Sequence, residues 1–187
     1  MNTHALIKDC GRLIETFFRL KAEPLERSVG ICVEALRRGK KIVLFGNGGS
    51  AAEAQHFAAE LVNKFFEIRP PIRALALTTD TSVLTSIGND AGFETVFSRQ
   101  IEALADAGDV ALALSTSGGS ANVIRGLRAA KKRKMVTIGM TGRGGGKMAG
   151  LCDVLLDVPS SITPRIQEIH LLALHVLAEE IEARLRK

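Results

Sequence analysis

The chain has 187 residues, of which 46% are hydrophobic, so it is long and apolar enough for one domain with a sizeable core and is not a disordered protein. Its formal net charge is +5, yet eight Phe with no Tyr or Trp argue against the aromatic platforms that stack nucleic-acid bases. The densest basic run, residues 131–134, is expected at the end of a helix, where cations complement the helix dipole. We therefore predict no nucleic-acid partner.

The cysteines and the chain start indicate a compartment. Cys10, Cys32 and Cys152 lie far apart without a C-x-x-C pair, so neither a disulfide framework nor a zinc knuckle is predicted. Cys32 and Cys152 have apolar neighbours and are predicted to be small core residues. The first ten residues do not resemble a signal peptide, and no apolar stretch is long enough to span a membrane. We expect a cytoplasmic protein with no membrane partner.

The first forty residues are predicted to form two helices. Apolar side chains recur at helical spacing between Leu6 and Phe18. Glu23 and Pro24 predict the start of a second helix, because proline is tolerated in a first turn. This second helix is expected to end near Gly39.

From residue 41 onward, short apolar runs alternate with helix-length segments. The runs are continuous, as expected for strands buried on both faces of a sheet, and the segments between them imply right-handed βαβ units. We predict a three-layer α/β fold with a five-stranded parallel sheet in the flavodoxin-like order 2-1-3-4-5. A long last helix is predicted to begin with Thr163 as N-cap and Pro164 in its first turn. The predicted strands are Ile42–Phe45, Ala74–Leu77, Val110–Leu114, Val136–Gly139 and Val154–Val158.

A first glycine-rich loop follows the first predicted strand. It reads Asn47-Gly48-Gly49-Ser50, and Ser50 with Glu53 fits a capping box that starts a helix. Taken alone, this loop also fits an ordinary strand-to-helix turn. It has neither the Gly-Lys-Ser/Thr of a Walker motif nor the pattern of a dinucleotide-binding loop.

A second glycine-rich loop follows the third predicted strand. Hydroxyls and backbone N–H groups at a helix start donate to phosphate oxygens, so this loop predicts a phosphate site. In the predicted strand order the two loops lie side by side at the topological switch point, where open α/β sheets bind ligands. The four hydroxyls of the second loop belong to Ser115, Thr116, Ser117 and Ser120.

Four polar residues lie in apolar helical surroundings where a polar side chain is costly. His56 and Glu60 share one face of the helix that follows the first loop, and Gln167 and His175 share a face of the last helix within about 80°. Two imidazoles, a carboxylate and an amide oxygen suit a divalent transition metal, so these four are a candidate metal site. The alternative, that each is separately hydrogen-bonded, stays open because H-x-x-x-E is a weak motif.

Two further polar segments follow the second predicted strand. Residues 78–82 and the pair Asn89 and Asp90 look mostly loop-like, and alone they indicate caps and turns. Beside a phosphate crevice, they are candidates for binding sugar hydroxyls.

Several stretches closely resemble the phosphoheptose isomerase family of sugar isomerase (SIS) domains. They span residues 41–180 in order: FGNGGSAAEAQHFAAEL, ALTTDTSVLTSIGND, GDVALALSTSGGSANVI, TGRGGGKMAG and VPSSITPRIQEIHLLALH. The resemblance implies a SIS fold, a homotetramer, and conversion of sedoheptulose 7-phosphate to D-glycero-D-manno-heptose 7-phosphate through an enediol. This is the first step toward the heptoses of lipopolysaccharide or another surface glycan. It also implies a single SIS domain over 1–187, with oligomerisation helices in 1–40 and the α/β core in 41–187.

Carried onto this sequence, the resemblance implies individual roles. Glu60 and His175 look like the proton-transfer pair, and together with His56 and Gln167 they look like the ligands of one Zn²⁺ per subunit. Gly119 and Ala91 depart from the family, which usually has Asn and an aromatic residue there. The implied substrate contacts are Asn47, Gly48, Gly49, Ser50, Glu60, Asn89, Asp90, Ser115, Thr116, Ser117, Ser120 and Gln167.

Two hypotheses without catalysis stay open. One is a SIS-domain tetramer that binds the replication initiator DnaA; that branch shares the glycine loops but lacks the acid and histidine matching Glu60 and His175. The other is a sugar-phosphate sensor. Because this chain keeps both residues, the sequence favours the enzyme.

Overall fold

A computed structural model of the chain describes residues 2–186 and confirms the predicted α/β class. All five predicted strands are present, with ends that differ by no more than two residues. The strands are β1 Ile42–Gly46, β2 Ala74–Ala76, β3 Val110–Ser115, β4 Val136–Thr141 and β5 Val154–Asp157. The α-helices are α1 Thr3–Arg37, α2 Gly49–Val62, α3 Thr81–Ala91, α4 Val96–Leu104, α5 Ala121–Lys132 and α6 Thr163–Leu185.

The strands form one parallel sheet in the order β2-β1-β3-β4-β5, as predicted. The central strands β1 and β3 are buried along their whole length, which explains their continuous apolar sequences. Gly46 at the end of β1 pairs with Leu114 near the end of β3. The two glycine-rich loops therefore leave the sheet from neighbouring strands.

Helices cover both faces of the sheet because side chains alternate along each strand. Ile42 and Leu44 of β1 face a core cluster shared with α1, α2 and α6. Val43 and Phe45 face a second cluster, shared with α4 and α5. Either apolar face would be exposed without its helices, so the three layers follow from the strand sequences.

The prediction of two N-terminal helices is wrong, because α1 is continuous and contains Pro24. Phe17 and Val29 on either side of the proline are both buried in the same core cluster, so packing holds both halves of the helix against one core. Proline cannot donate to the carbonyl of Leu20, but Leu20 is 56% exposed and water can satisfy that carbonyl.

The predicted capping box at the start of α2 is also wrong. Gly48, with a φ of 55°, flanks the helix, and Ser50 lies within its first turn, buried against the loop. With Gly48 in the flanking position, the helix starts at Gly49, two residues earlier than a cap at Ser50 would start it. Likewise Thr163 is the first residue of α6, and Ile162 occupies the flanking position.

The polar residues after β2 were predicted to be mostly loop, which holds for residues 78–80 but not for 81–91, which form α3. Asp80 caps α3 by accepting a hydrogen bond from the N–H of Val83 at 3.0 Å. Asn89 and Asp90 lie in the last turn of this helix. The sequence indicated caps and turns here, but the polar composition gave no signal for the helix α3 that follows Asp80.

Other predicted features can be placed directly. Cys32 is fully buried as predicted, whereas Cys152 is partly exposed. Lys131 and Lys132 lie in the last turn of α5, as expected for the basic run. Between residues 2 and 186, none of the helices combines the length and the apolar character that crossing a membrane requires.

Candidate active site

The second glycine-rich loop gathers its hydroxyls between β3 and α5. Ser115 Oγ lies 3.0 Å from Ser120 Oγ and 3.5 Å from Ser117 Oγ. The N–H of Gly119 donates to Ser117 Oγ at 3.1 Å. Ser120 flanks the N-terminus of α5, where unpaired N–H groups and the helix dipole favour an anion. We call residues 115–120 the phosphate loop; its arrangement suits a phosphate group.

A third segment, residues 145–148, packs behind the phosphate loop. The sequence reasoning gave this segment no separate role. Gly118 has a φ of 59°, and a Cβ built on it would lie 2.1 Å from the carbonyl oxygen of Gly145. A Cβ on Gly146 would lie 2.7 Å from the carbonyl oxygen of Ser117. The N–H of Met148 donates to the Gly118 carbonyl at 3.2 Å. Glycines on both sides therefore let two backbones touch and fix the shape of the phosphate loop.

The first glycine-rich loop is tied to α5 by a pair of amides. Asn47 Nδ2 donates to Asn122 Oδ1 at 2.9 Å, and Asn122 Nδ2 donates back to Asn47 Oδ1 at 2.8 Å. Asn122 is only 4% exposed. Sequence reasoning missed Asn122; its signal was a buried amide in the first turn of an amphipathic helix. The pair holds the two ligand loops side by side.

Helices α2 and α6 run alongside each other from the first loop outward. The Gln167 amide lies over Gly49, so that a Cβ on Gly49 would be 2.2 Å from Gln167 Nε2. Further along both helices, His56 Nε2 and His175 Nε2 are 2.8 Å apart. The same side-by-side packing thus brings two pairs of the predicted site residues together.

The predicted proton-transfer residues form a cluster. His56 Nε2 lies 3.6 Å from Glu60 Oε1 and 2.8 Å from His175 Nε2, and the Phe65 ring centroid is 5.7 Å from that of His175. The cluster lies among apolar neighbours but is open to solvent in the single chain, because the His56 side chain is 42% exposed and that of Glu60 is 23% exposed. Both groups can therefore meet a ligand from solvent.

The donor types of this cluster fit zinc, but their present spacing does not enclose an ion. Tetrahedral zinc with bonds of about 2.0–2.1 Å holds two nitrogens roughly 3.3 Å apart. The two imidazole nitrogens lie at 2.8 Å, so His56 and His175 would separate by about 0.5 Å to admit the ion. Across residues 2–186, no group of three or more His, Cys, Asp and Glu side chains is already arranged around a metal position.

The fourth predicted ligand lies elsewhere. The Gln167 amide packs on Gly49, and His56 follows Gly49 by seven residues, or about 10 Å along α2. The structure therefore brings together His56, Glu60 and His175 but leaves Gln167 at the first glycine-rich loop.

A buried polar pair beneath this surface was missed by the sequence reasoning. Glu53 Oε2 lies 3.9 Å from His170 Nδ1, and within residues 2–186 neither atom has a hydrogen-bond partner. His170 Nε2 lies 3.2 Å from the carbonyl oxygen of Thr141. Glu53 therefore points between α2 and α6 instead of capping its own helix.

The remaining predicted substrate contacts lie on the surface. Asn89 and Asp90 are exposed, and Asn89 Nδ2 donates to Asp90 Oδ1 at 2.7 Å. Gln55 of α2 donates to both oxygens of Thr78 at 3.1 Å, which fixes the turn that precedes α3. These contacts orient α3, while its last turn stays open to a ligand.

The comparisons with known proteins identify the family. The SIS domain family model matches residues 6–142. A phosphoheptose isomerase from Desulfovibrio desulfuricans is 55% identical over 172 residues, which is 92% of this chain and 82% of the relative. The chain belongs to the phosphoheptose isomerase family.

Further members of the family agree in sequence and in structure. A phosphoheptose isomerase from Aquifex aeolicus is 54% identical over 177 residues, covering 95% of this chain and 93% of the relative. The structure of phosphoheptose isomerase GmhA from Neisseria gonorrhoeae matches with a TM-score of 0.91 and 45% identity, covering 97% of each chain. The resemblance inferred from the sequence stretches is therefore confirmed, as is the SIS fold.

Proposed function

We propose that this chain is an aldose–ketose isomerase that converts D-sedoheptulose 7-phosphate to D-glycero-D-manno-heptose 7-phosphate. Relatives at 55% and 54% identity that carry the name phosphoheptose isomerase support the activity. The observation that carries the proposal is the cluster of His56, Glu60 and His175, since a protein that only binds needs no carboxylate and imidazole pair facing solvent. The DnaA-binding alternative gains no support from these relatives.

The phosphate loop is the proposed binding site for the phosphate group of the substrate. Its hydroxyls, its backbone N–H groups and the start of α5 together complement a dianion. The sugar hydroxyls are proposed to meet the first glycine-rich loop, Gln167 and the end of α3. The full set of proposed substrate contacts is Asn47, Gly48, Gly49, Ser50, Glu60, Asn89, Asp90, Ser115, Thr116, Ser117, Ser120 and Gln167.

Glu60 and His175 are the proposed catalytic residues. Glu60 removes a proton from C1 of the ketose while His175 gives a proton to the C2 oxygen, which leaves an enediol. His175 then takes the proton from the C1 hydroxyl, and Glu60 returns its proton to C2, so the aldose forms and both residues regain their starting states. Because His175 Nε2 faces His56 Nε2 at 2.8 Å, that contact opens when His175 reaches the substrate.

A zinc ion is proposed on His56, Glu60, Gln167 and His175. When bound, it would polarise the substrate carbonyl as a Lewis acid. Glu60 would have to leave the ion to act as the base, because a carboxylate bound to zinc is a poor base. Gln167 joins this set only if its amide leaves Gly49. Metal analysis of the purified protein tests the assignment: His56→Ala is expected to lower bound zinc, and unchanged zinc would contradict it.

The chain is further proposed to act as a homotetramer of single domains over 1–187, with α1 in the subunit interfaces; residues 1 and 187 lie outside the described residues. Leu6, Ile7 and Leu20 on α1 are exposed. Glu60 follows Gly49 by eleven residues, about 16 Å along α2, whereas a seven-carbon sugar phosphate spans roughly 10 Å at bond lengths of about 1.5 Å. This separation supports a site completed by a second copy. Light scattering of the purified protein measures the assembly.

The cellular context is also a proposal. The reaction would occur in the cytoplasm and supply heptose for lipopolysaccharide or another surface glycan. Deletion of the gene would then remove heptose from the surface glycan, which sugar analysis of isolated glycan measures.

One experiment tests the activity. Purified protein is incubated with sedoheptulose 7-phosphate, and formation of the aldose is followed by NMR. Glu60→Gln is expected to lower turnover by about 10²–10⁴-fold, the usual worth of a general base, without unfolding the chain. Glu102→Gln removes an exposed carboxylate on α4 and serves as the control.

The outcomes separate the hypotheses. Near-normal turnover by folded Glu60→Gln protein would show that Glu60 is not the base. Folded wild-type protein that makes no aldose would refute the isomerase and favour a binding role.

A further inference from the structure

A carboxylate on α6 organises the irregular segment that follows α2. Residues 63–73 form neither helix nor strand, so their backbone N–H groups need other partners. Glu182 is 1% exposed, and its Oε2 accepts from the N–H groups of Phe65 at 3.1 Å and Phe66 at 3.2 Å. Its Oε1 accepts from the N–H of Glu67 at 2.8 Å. One buried side chain therefore sets the path of the segment.

Arg69, within the same segment, connects Glu182 to the end of α2. Arg69 Nε lies 3.5 Å from Glu182 Oε2, and both side chains are nearly inaccessible to solvent. Its guanidinium donates at 2.8 Å to the carbonyl of Leu61 and at 2.8 Å to the carbonyl of Glu60. The Leu61 carbonyl also accepts from the N–H of Ile72 at 3.0 Å. Carbonyls at a helix end carry the negative end of the helix dipole, so the cation stabilises the last turn of α2.

The ion pair of Glu182 and Arg69, with its hydrogen bonds, acts on both proposed catalytic residues through their neighbours. Arg69 donates to the backbone carbonyl of Glu60, while Glu182 accepts from the backbone N–H of Phe65. The ring centroids of Phe65 and His175 lie 5.7 Å apart. Glu182 itself follows His175 by seven residues on α6, which is about two turns. The ion pair thus links the ends of the two helices that carry the proton-transfer pair.

The charge of Glu182 is maintained by its surroundings. Burial raises the pKa of the Glu182 carboxyl, but the N–H donors of the segment and Arg69 lower that pKa by more, so it lies below its ordinary value. The Glu182 carboxylate is therefore ionised in the folded protein near neutral pH. An amide at this position would present an NH₂ group to an N–H donor and lose at least one of the three hydrogen bonds.

We propose that Glu182 and Arg69 are positioning residues for the isomerisation: they hold Glu60 and His175 in the correct relative position. Substrate binding by the phosphate loop does not depend on Glu182 and Arg69. The proposal rests on the isomerase function proposed above. Its alternative is a purely structural anchor, whose loss would lower stability without changing the chemistry of the folded enzyme.

Glu182→Gln in the full-length protein is the principal test. Displacement of a reacting group by about 1 Å costs on the order of 100-fold, so kcat per folded protein is expected to fall about 10- to 100-fold. KM is expected to change less than about threefold, since about 16 Å of α2 separates Glu60 from the first loop. Glu180→Gln, which removes a half-exposed carboxylate two residues away, is the control and is expected to leave both constants unchanged.

A second pair of variants guards against loss of folding. Arg69→Lys keeps a cation near the carbonyls of Glu60 and Leu61, whereas Arg69→Met keeps only the stem. Partial recovery of kcat by the lysine variant over the methionine variant is expected. Amide hydrogen exchange at residues 65–67 is expected to speed up in Glu182→Gln, which shows directly that the segment was released.

The outcomes are distinguishable. Wild-type protein that makes no aldose would remove the proposed function and this role with it. Active wild type with unchanged kcat in folded Glu182→Gln, or equal kcat in the two Arg69 variants, would overturn the positioning role alone. A fall in kcat that disappears after correction for the folded fraction would show a structural anchor and equally overturn the proposal.

Discussion

Gly118→Ala should damage the protein far more than the same change one residue later. Gly118 is buried and has a φ of 59°, and the added methyl would lie 2.1 Å from the carbonyl oxygen of Gly145. The obstacle is backbone, which cannot rotate away as a side chain can. At Gly119 the nearest atom would be Ser117 Oγ, at 3.6 Å, which is an ordinary contact.

The expected loss of stability follows from two terms. The left-handed backbone costs an alanine about 1–2 kcal/mol. Forcing a methyl into an occupied space costs about 1–3 kcal/mol more. Their sum, about 2–5 kcal/mol, corresponds to a fall in melting temperature of about 4–20 °C for a chain of this size. Since Gly118 shapes the phosphate loop, KM for the sugar phosphate should rise as well.

Thermal unfolding and steady-state kinetics of the two alanine variants check this reasoning. Gly119→Ala is expected to melt within about 2 °C of wild type, as changes without a clash stay within about 0.5 kcal/mol. If Gly118→Ala melted and bound substrate like Gly119→Ala, the close contact with Gly145 would not govern the loop.

Two further predictions concern a flexible contact and the buried thiols. Gly49→Ala should displace only the far end of the Gln167 side chain and leave the free energy of unfolding within about 1 kcal/mol of wild type. It should also change substrate KM in the same way as Gln167→Ala does. A change in KM for only one of the two variants would show that the two residues do not act together on the substrate. Burial raises the pKa of the Cys32 and Cys152 thiols to about 12, so at pH 8 both should react with iodoacetamide more slowly in folded protein than in urea. Mass spectrometry measures the labelling, and equal rates in the two states would contradict the prediction.

The fold was largely predictable because buried parallel strands leave a strong local signal. Runs such as Val110–Leu114 are apolar throughout, and glycine or proline marks the segments around them. The single N-terminal helix was not predictable from local signals, because Pro24 normally indicates a helix start. Only the burial of Phe17 and Val29 in one core explains why the helix continues, and that contact is tertiary.

The candidate site divides in the same way. The spacing of His56 and Glu60 placed them on one helix face, and a second helix with His175 was sufficient to suggest a cluster. The position of the Gln167 amide over Gly49 depends on how α6 is aligned with α2, which no local pattern encodes. Glu182 looked like one more acid in a charged helix end until the structure placed three N–H groups around it.

The pairing of α2 with α6 also affects how the protein is made. His56 and His175 are 119 residues apart in the chain, and α6 supplies a large share of the core that covers α1 and α2. During synthesis from the N-terminus, these apolar faces stay uncovered until the last helix has left the ribosome. A nascent chain that stops before residue 163 therefore lacks both the cluster and the cover, and becomes a substrate for chaperones or aggregation rather than a partly active enzyme.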